Sequence, residues 1–173
     1  MSTGTPTIYL RFLKKSRKQP RPGDVFVLQV KDDEYIFGRV IRDDVLRDDT
    51  SKRKHGLWLV YIYNATSRDK NKLPTLNKHD LLIPPQIINR LGWVDGYFET
   101  VAYLPLSEND VLSQHCFEDW SGRYRDEYDN LLRERVEPCG VYGVGNYLTI
   151  ESKVCKALGL YLLTIPREPR HQV

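Results

Sequence analysis

The sequence lacks any long hydrophobic run. Its longest apolar stretches, such as residues 57–63, have about a third of the length needed to span a bilayer. No apolar segment follows the basic residues near the N-terminus, so the pattern predicts neither a membrane anchor nor a secretory signal. Hydrophobic residues make up 40% of the 173 residues and charged residues 28%, a balance typical of one globular domain with a substantial core.

Cysteine is also scarce. The three cysteines are Cys116, Cys139 and Cys155, and no two of them have the CxxC spacing of metal sites. Together with the missing export signal, this predicts reduced thiols and a cytoplasmic protein. His115 and Cys116 are the best pair of metal-ligand types, but adjacent residues in a strand point to opposite faces. We therefore expect no metal site and no cofactor.

Catalytic signatures are missing as well. The glycines Gly140, Gly143 and Gly145 are not followed by the Gly-Lys-Ser/Thr of a phosphate loop, and their spacing differs from the dinucleotide-binding pattern. No nucleophile elbow or oxyanion signature surrounds Cys116. A glycine-rich connection before a helix and an inert buried thiol are the simpler interpretations. The sequence thus predicts a binding protein and not an enzyme.

The chain does contain a β-meander. Residues 22–28, 35–41 and 57–63 are rich in β-branched and aromatic side chains and predict three consecutive strands. A short acidic turn joins the first two, and a polar loop at 42–55 leads to the third. Because such a long polar connection runs over the surface, we interpret it as a candidate recognition loop.

The later segments predict a mixture of short elements. Residues 81–83 indicate a short strand closed by two prolines, and a single turn is expected at 86–91. Trp93 is expected to pack in the core, followed by a strand that ends near residue 103. The other predicted elements are a short helix from Ser107, a turn or a short surface helix at 126–130, a helix at 151–159 and a strand at 161–165. The predicted fold class is α+β, with a mainly antiparallel, strongly curved, small barrel-like sheet and a few short helices.

Charge is distributed unevenly along the chain. Residues 1–21 carry six basic side chains and no acidic one, and removing these six from the total of 26 leaves 20 basic against 23 acidic residues. We therefore predict a basic, flexible leader at 1–21, a single domain at 22–166 and a C-terminal tail at 167–173. A basic leader can hold phosphate backbones. The leader's cations are Arg11, Lys14, Lys15, Arg17, Lys18 and Arg21.

Acidic residues form clusters in the polar loops, where we expect them to be exposed. Such clusters either keep a face solvated or steer a basic partner. Trp120 and Tyr124 lie beside one cluster and are candidate anchors, because Trp and Tyr dominate interface hot spots. The predicted binding residues are Asp43, Asp44, Asp48, Asp49, Glu118, Asp119, Trp120, Tyr124, Asp126 and Glu127.

The strand and turn motifs resemble a known family. The matching segments are Pro22-Gly23-Asp24-Val25-Phe26, Phe37-Gly38-Arg39-Val40, Val60-Tyr61-Ile62-Tyr63, Ile83-Pro84-Pro85 and Gly92-Trp93-x-x-Gly96-Tyr97-Phe98. They are similar to the immunity protein 26 family of bacterial polymorphic toxin and contact-dependent growth inhibition systems, over about residues 20–165. The resemblance implies a cytoplasmic antitoxin that neutralises the C-terminal domain of a cognate toxin by direct binding, with no catalytic residues. A toxin that cleaves nucleic acid would be basic and would suit an acidic partner face.

Two other interpretations stay open at this stage. The Pro-Gly-Asp-Val start also resembles the small barrels of PemK-like ribonuclease toxins, although Val40 follows Arg39 where that family has an Arg-Pro pair. The alternative is therefore a nucleic-acid-binding module without an intact ribonuclease site. A structural or scaffolding domain is the third interpretation. The sequence leaves the oligomeric state open.

Overall fold

The computed structural model describes residues 9–46 and 56–160. No helix within these ranges has the length and hydropathy required to cross a bilayer. The strands are β1 (Asp24–Lys31), β2 (Glu34–Arg42), β3 (Trp58–Ser67), β4 (Leu81–Ile88), β5 (Glu99–Tyr103), β6 (Cys116–Glu118), β7 (Tyr124–Arg125) and β8 (Cys139–Val141). The helices are α1 (Leu91–Asp95) and α2 (Tyr147–Ala157), and a 3-10 turn spans Glu108–Asp110.

The strands form two sheets. The large sheet has the order β4-β3-β2-β1-β5, and every pair in it is antiparallel. The small sheet has the order β7-β6-β8, in which β6 pairs antiparallel with β7 and parallel with β8. The meander and the mainly antiparallel α+β class are therefore confirmed. Within the described residues β4 and β5 do not pair with each other, so the predicted barrel-like curvature is not confirmed.

Both faces of the large sheet are buried. Along β3, Val60 and Ile62 face the two helices, whereas Leu59, Tyr61 and Tyr63 face the small sheet. A strand covered on both faces needs apolar side chains at consecutive positions. This explains why residues 58–63 are a continuous apolar run rather than an alternating one.

The predicted core position of Trp93 is confirmed. Its side chain is buried on the helical side of the large sheet, and its ring meets Phe26 edge to face at a centroid distance of 5.0 Å. Phe26 in turn lies over Gly38, because a Cβ added there would come within 2.4 Å of the Phe26 ring. The glycine in β2 is thus required by close aromatic packing and not by a turn.

The segment after residue 83 differs from the sequence prediction. Pro84 and Pro85 do not close β4, which continues to Ile88, so the turn predicted at 86–91 is wrong over its first three residues. Prolines are tolerated here because β4 is an edge strand of the large sheet, and its outer side is bridged only farther along, where Ile88 pairs with Gly145. Helix α1 begins only at Leu91.

Two predicted helices differ from the prediction in type or in starting residue. The helix predicted from Ser107 is a 3-10 turn, in which the Asp110 carboxylate accepts hydrogen bonds from the Ser107 N–H and hydroxyl at 2.8 and 2.9 Å. Helix α2 begins at Tyr147, four residues earlier than predicted, because the Asn146 side chain caps it. The strand predicted at 161–165 lies outside the described residues.

Residues 9–20 lie against the domain. Leu10 is buried in the same core cluster as Trp93 and α2, and Pro20 is also buried. The boundary at residue 21 and the flexibility of residues 1–8 stay predictions. The described part of the leader, however, packs on the large sheet.

Candidate binding face

The connection between β6 and β7 presents a tryptophan to solvent. Trp120 is 96% exposed and lies in the hairpin loop, which we define as residues 119–123. The buried Asp119 carboxylate fixes this loop: one oxygen accepts hydrogen bonds from the Ser121 hydroxyl at 2.6 Å and from the Ser121 and Arg123 N–H groups at 2.9 and 3.1 Å. Its other oxygen accepts from Arg125 Nε at 2.9 Å. The loop backbone is therefore held in one conformation while the indole remains uncovered.

Asp119 acts inside the chain. The Ser121 hydroxyl, followed by the Arg125 guanidinium and the loop N–H groups, lowers the pKa of the Asp119 carboxyl well below its usual range. The group is consequently ionised at neutral pH, and the loop's own donors occupy its oxygens. The expected exposure of Asp119 is wrong, because polar turn sequences also satisfy their own backbone through Asp side chains.

A buried polar chain attaches the next segment to the large sheet. The Tyr61 hydroxyl lies 2.5 Å from His115 Nε2, and His115 Nδ1 lies 2.9 Å from Glu127 Oε1. Because the Tyr61 hydroxyl also accepts from the Leu112 N–H, it can donate its own proton to Nε2, which leaves the imidazole proton on Nδ1 for Glu127. Arg42 Nε lies 3.1 Å from the same Glu127 oxygen.

Glu127 is therefore a structural carboxylate. Its side chain is 7% exposed, so the predicted exposure is wrong here too. Burial by itself would raise the pKa of Glu127, but the hydrogen bond from His115 and the positive charge of Arg42 lower it overall. The ionised carboxylate links β2, β3 and residue 115 at one point.

Segments distant in sequence meet at this point. The Leu46 N–H donates to the Glu127 carbonyl at 3.0 Å, and the Tyr128 hydroxyl lies 3.4 Å from Asp44. The Arg42 guanidinium also lies over the Tyr128 ring, at 5.6 Å from its centroid. The fold thus brings the start of the predicted recognition loop beside the predicted acidic segment. Asp48 and Asp49 lie outside the described residues.

The other predicted binding residues have mixed environments. Asp43 is exposed, and Glu118 is 43% exposed in an ion pair with Arg135 at 2.9 Å. Tyr124 is half-buried. Asp126 accepts from the Tyr128 and Asn130 N–H groups, both at 2.9 Å, and thereby shows that 126–130 is a turn rather than a helix.

Three exposed apolar residues of this region were missed by sequence reasoning. Tyr128 is 40% exposed, Leu131 57% and Val141 66%. Tyr128 lies in the 126–130 turn, Leu131 directly follows that turn, and Val141 is the last residue of β8. Tyr128 and Leu131 could have been predicted from the sequence, because each is an apolar residue in or beside a turn-forming segment. We define the hairpin face as Asp43, Asp44, Glu118, Trp120, Tyr128 and Leu131.

One family model matches the chain. It is the model of Imm26, Immunity protein 26, and it covers residues 21–126. The chain belongs to the immunity protein 26 family. This confirms the resemblance inferred from the strand and turn motifs. No curated protein and no solved structure matches the chain at a significant level.

The matched region of this immunity protein 26 family member includes the large sheet and the hairpin loop. It ends at Asp126, one residue before the buried carboxylate of Glu127, and residues 9–20 precede it. Trp120 is thus carried by the part of the chain that the family model covers.

The same family member offers little that could perform chemistry. No group of three His, Cys, Asp or Glu side chains in residues 9–46 and 56–160 is arranged to hold a metal ion. The Tyr61–His115–Glu127 chain resembles a proton relay, but all three side chains are buried. The Cys116 and Cys139 sulfurs lie 2.9 Å apart, and burial together with the neighbouring thiol raises the pKa of Cys139 to about 12. Such a thiol is protonated at neutral pH and a poor nucleophile.

Proposed function

We propose that this chain is an immunity protein that binds a cognate bacterial toxin domain in the cytoplasm and neutralises it by stoichiometric occlusion. Membership of the immunity protein 26 family supports the class of function. The single structural observation that carries the binding mode is Trp120, which is 96% exposed on a loop fixed by a buried carboxylate. Function then requires binding and no chemistry.

Trp120 has the properties of an interface anchor. A tryptophan buries a large area, and hot spots are enriched in this residue type. The hairpin loop is ordered before binding, because Asp119 accepts hydrogen bonds from Ser121 and Arg123. A partner that covers the indole therefore has little loop entropy to overcome.

The charge of the hairpin face indicates the chemistry of the partner. Asp43 and Asp44 have no ion-pair partner among the described residues, and Asp44 lies beside Tyr128. Asp119 and Glu127 are neutralised internally, and Glu118 pairs with Arg135. We infer a basic toxin surface with an apolar pocket for the indole, as a nuclease that approaches phosphates would have. Exposed acids of this kind mainly accelerate association and set specificity.

The test is a calorimetric titration of the full chain against the C-terminal domain of the large secreted protein encoded beside it. We expect one-to-one binding with nanomolar affinity and loss of toxin activity. Trp120→Ala should weaken binding by about 30-fold or more, the effect of an interface hot spot. Phe12→Ala, which removes a 63% exposed aromatic ring far along the chain from the hairpin face, is the matched control and should bind as the wild type does.

Two results would contradict this proposal. Absence of binding by the wild-type chain would remove the antitoxin function. Wild-type binding that survives Trp120→Ala unchanged would keep the function but exclude the hairpin face. A further check is that Asp43→Lys with Asp44→Lys slows association with a basic toxin at low salt more than it speeds dissociation.

A further inference from the structure

The leader residues that precede the family match form a strap with a fixed backbone. We define the basic strap as residues 9–20. The Arg11 N–H donates to the Gln29 carbonyl of β1 at 2.8 Å, beyond the point where β5 stops pairing with β1. The Leu13 and Ser16 N–H groups donate to the carbonyls of Gly96 and Trp93 at 2.7 and 2.9 Å.

Both ends of the basic strap are also attached. At one end Leu10 is 4% exposed, and its N–H donates to Glu151 Oε2 of α2 at 2.9 Å. At the other end Trp58 Nε1 donates to the Pro20 carbonyl at 2.9 Å. The main chain, the buried Leu10 and the partly buried Tyr9 and Leu13 therefore hold the strap. Arg11 adds an ion pair with Asp32, whereas Lys14, Lys15, Arg17 and Lys18 form no ion pair among the described residues.

Four of these basic side chains have no ion-pair partner among the described residues. Three acids near the strap are already neutralised: Asp32 pairs with Arg11 at 3.0 Å, Asp24 with Arg21 at 3.4 Å and Glu99 with Lys70 at 3.0 Å. A fourth, Glu151, accepts the Leu10 N–H. The unpaired and exposed cations are Lys14, Lys15, Arg17 and Lys18. Because five consecutive residues span at most about 14 Å between their ends, this is a dense line of positive charge.

An exposed aromatic ring borders that line. Phe12 is 63% exposed, and a Cβ added to Gly96 would lie 2.5 Å from its ring and 3.2 Å from Lys15 Cγ. Phe12 and Lys15 therefore lie side by side over the end of α1. A cationic line beside an exposed ring is the arrangement that binds phosphates and stacks bases in single-stranded nucleic acids.

We propose that the basic strap binds the backbone of a single-stranded nucleic acid, with Lys14, Lys15, Arg17 and Lys18 on phosphates and Phe12 stacked on a base. An acidic peptide would satisfy the cations equally well but would leave Phe12 without a planar partner, so the ring favours nucleic acid. This second surface is separate from the hairpin face. Leu10 belongs to the core on the helical side of the large sheet, whereas Phe117 of β6 belongs to the core on the other side.

The test is the binding of a fluorescein-labelled 15-nucleotide oligouridine RNA to the full chain, followed by fluorescence anisotropy at 50 and 150 mM NaCl. Four phosphate contacts on a single strand predict about 20-fold weaker binding at the higher salt concentration. Replacing Lys14, Lys15, Arg17 and Lys18 by Gln should weaken binding at 50 mM at least tenfold and flatten the salt dependence. Phe12→Ala should weaken it roughly fivefold or more, as expected for the loss of one stacked base.

The matched control removes the same charge elsewhere. Arg68, Lys72, Arg133 and Lys156 are exposed, and their replacement by Gln should change RNA affinity by less than the strap variant does. Equal losses in both variants, or no RNA binding by the wild type at 50 mM salt, would overturn the proposal. Poly-glutamate that competes with RNA at equal charge concentration would overturn the assignment to nucleic acid. None of these outcomes depends on the toxin, so failure here is distinguishable from failure of the antitoxin function.

Discussion

The hairpin segment and the basic strap cover the same large sheet but are attached to it by opposite means. The hairpin segment, residues 113–131, is held by buried side chains: Asp119 binds its own loop and Arg125, and Glu127 joins His115 and Arg42. The basic strap is held mainly by main-chain hydrogen bonds and by Leu10, with one main-chain contact to the Glu151 carboxylate and one ion pair of Arg11. Buried carboxylates build the attachment of the hairpin segment, whereas Lys14, Lys15, Arg17 and Lys18 of the strap form no ion pair among the described residues.

This difference decides what each surface can present. In the hairpin segment the Asp119 and Glu127 carboxylates are used internally, and the Trp120 indole is left almost fully exposed. In the strap the main chain satisfies the attachment, and the cations remain free for a partner. The attachments made by Asp119 and Glu127 should therefore respond strongly to loss of a single charge or to acid, whereas the main-chain hydrogen bonds of Leu13 and Ser16 in the strap should respond to neither.

The largest expected effect is that of Glu127→Ala. The substitution leaves the buried His115 without its hydrogen-bond partner and removes the ion pair with Arg42, whose side chain is 37% exposed. Together these losses should cost about 2–3 kcal/mol of the free energy of unfolding, because an unsatisfied buried donor is costly whereas a partly exposed ion pair contributes little. Chemical denaturation followed by circular dichroism measures the loss. Glu118→Ala is the matched control: it breaks an exposed pair with Arg135 and should cost only about 0–1 kcal/mol. Equal losses in the two variants would refute the structural role of Glu127.

Lowering the pH should affect the attachment of the hairpin segment but not the main-chain hydrogen bonds of the strap. The pKa values of Asp119 and Glu127 are lowered in the folded chain, so their ionised forms stabilise it above the unfolded pKa of about 4, and this stabilisation is lost as the pH falls through the lower folded values. In an NMR titration, the Ser121 amide signal should move with an apparent pKa below that of an ordinary Asp. The Leu13 and Ser16 amides of the strap, which donate to main-chain carbonyls, should not follow it. A Ser121 midpoint near 3.9 would contradict the assignment.

Local pattern predicted much of this fold. The meander strands, the core position of Trp93 and the capping role of Ser107 depend on residues that are neighbours in sequence, and all three are found. The continuation of β4 through Pro84 and Pro85 was missed because it depends on β4 being a sheet edge, which is a property of the whole topology. The early start of α2 follows from a local Asn cap that the helical periodicity does not reveal.

The candidate site was less predictable for a related reason. Trp120 and the acids were found from composition, but which carboxylates are exposed depends on partners far along the chain. Glu127 is buried because Arg42, 85 positions earlier, and Tyr61, reached through His115, meet it across the sheet. Residues 9–20 were expected to be loose, and nothing local indicates that Gly96 and Trp93 provide acceptors for their backbone.

The smallest expected effect on stability is that of removing the four unpaired cations of the strap, and it tests directly whether they help to attach the strap. Replacing Lys14, Lys15, Arg17 and Lys18 together by Gln should change the free energy of unfolding by no more than about 0.5 kcal/mol, because exposed side chains without partners contribute little. Leu10→Ala is the positive control, since a buried leucine removed from a core costs about 2 kcal/mol or more. Thermal melts of both variants give the answer. A quadruple variant that melts like Leu10→Ala would mean that these four cations also help to hold the strap and are not left free for a partner.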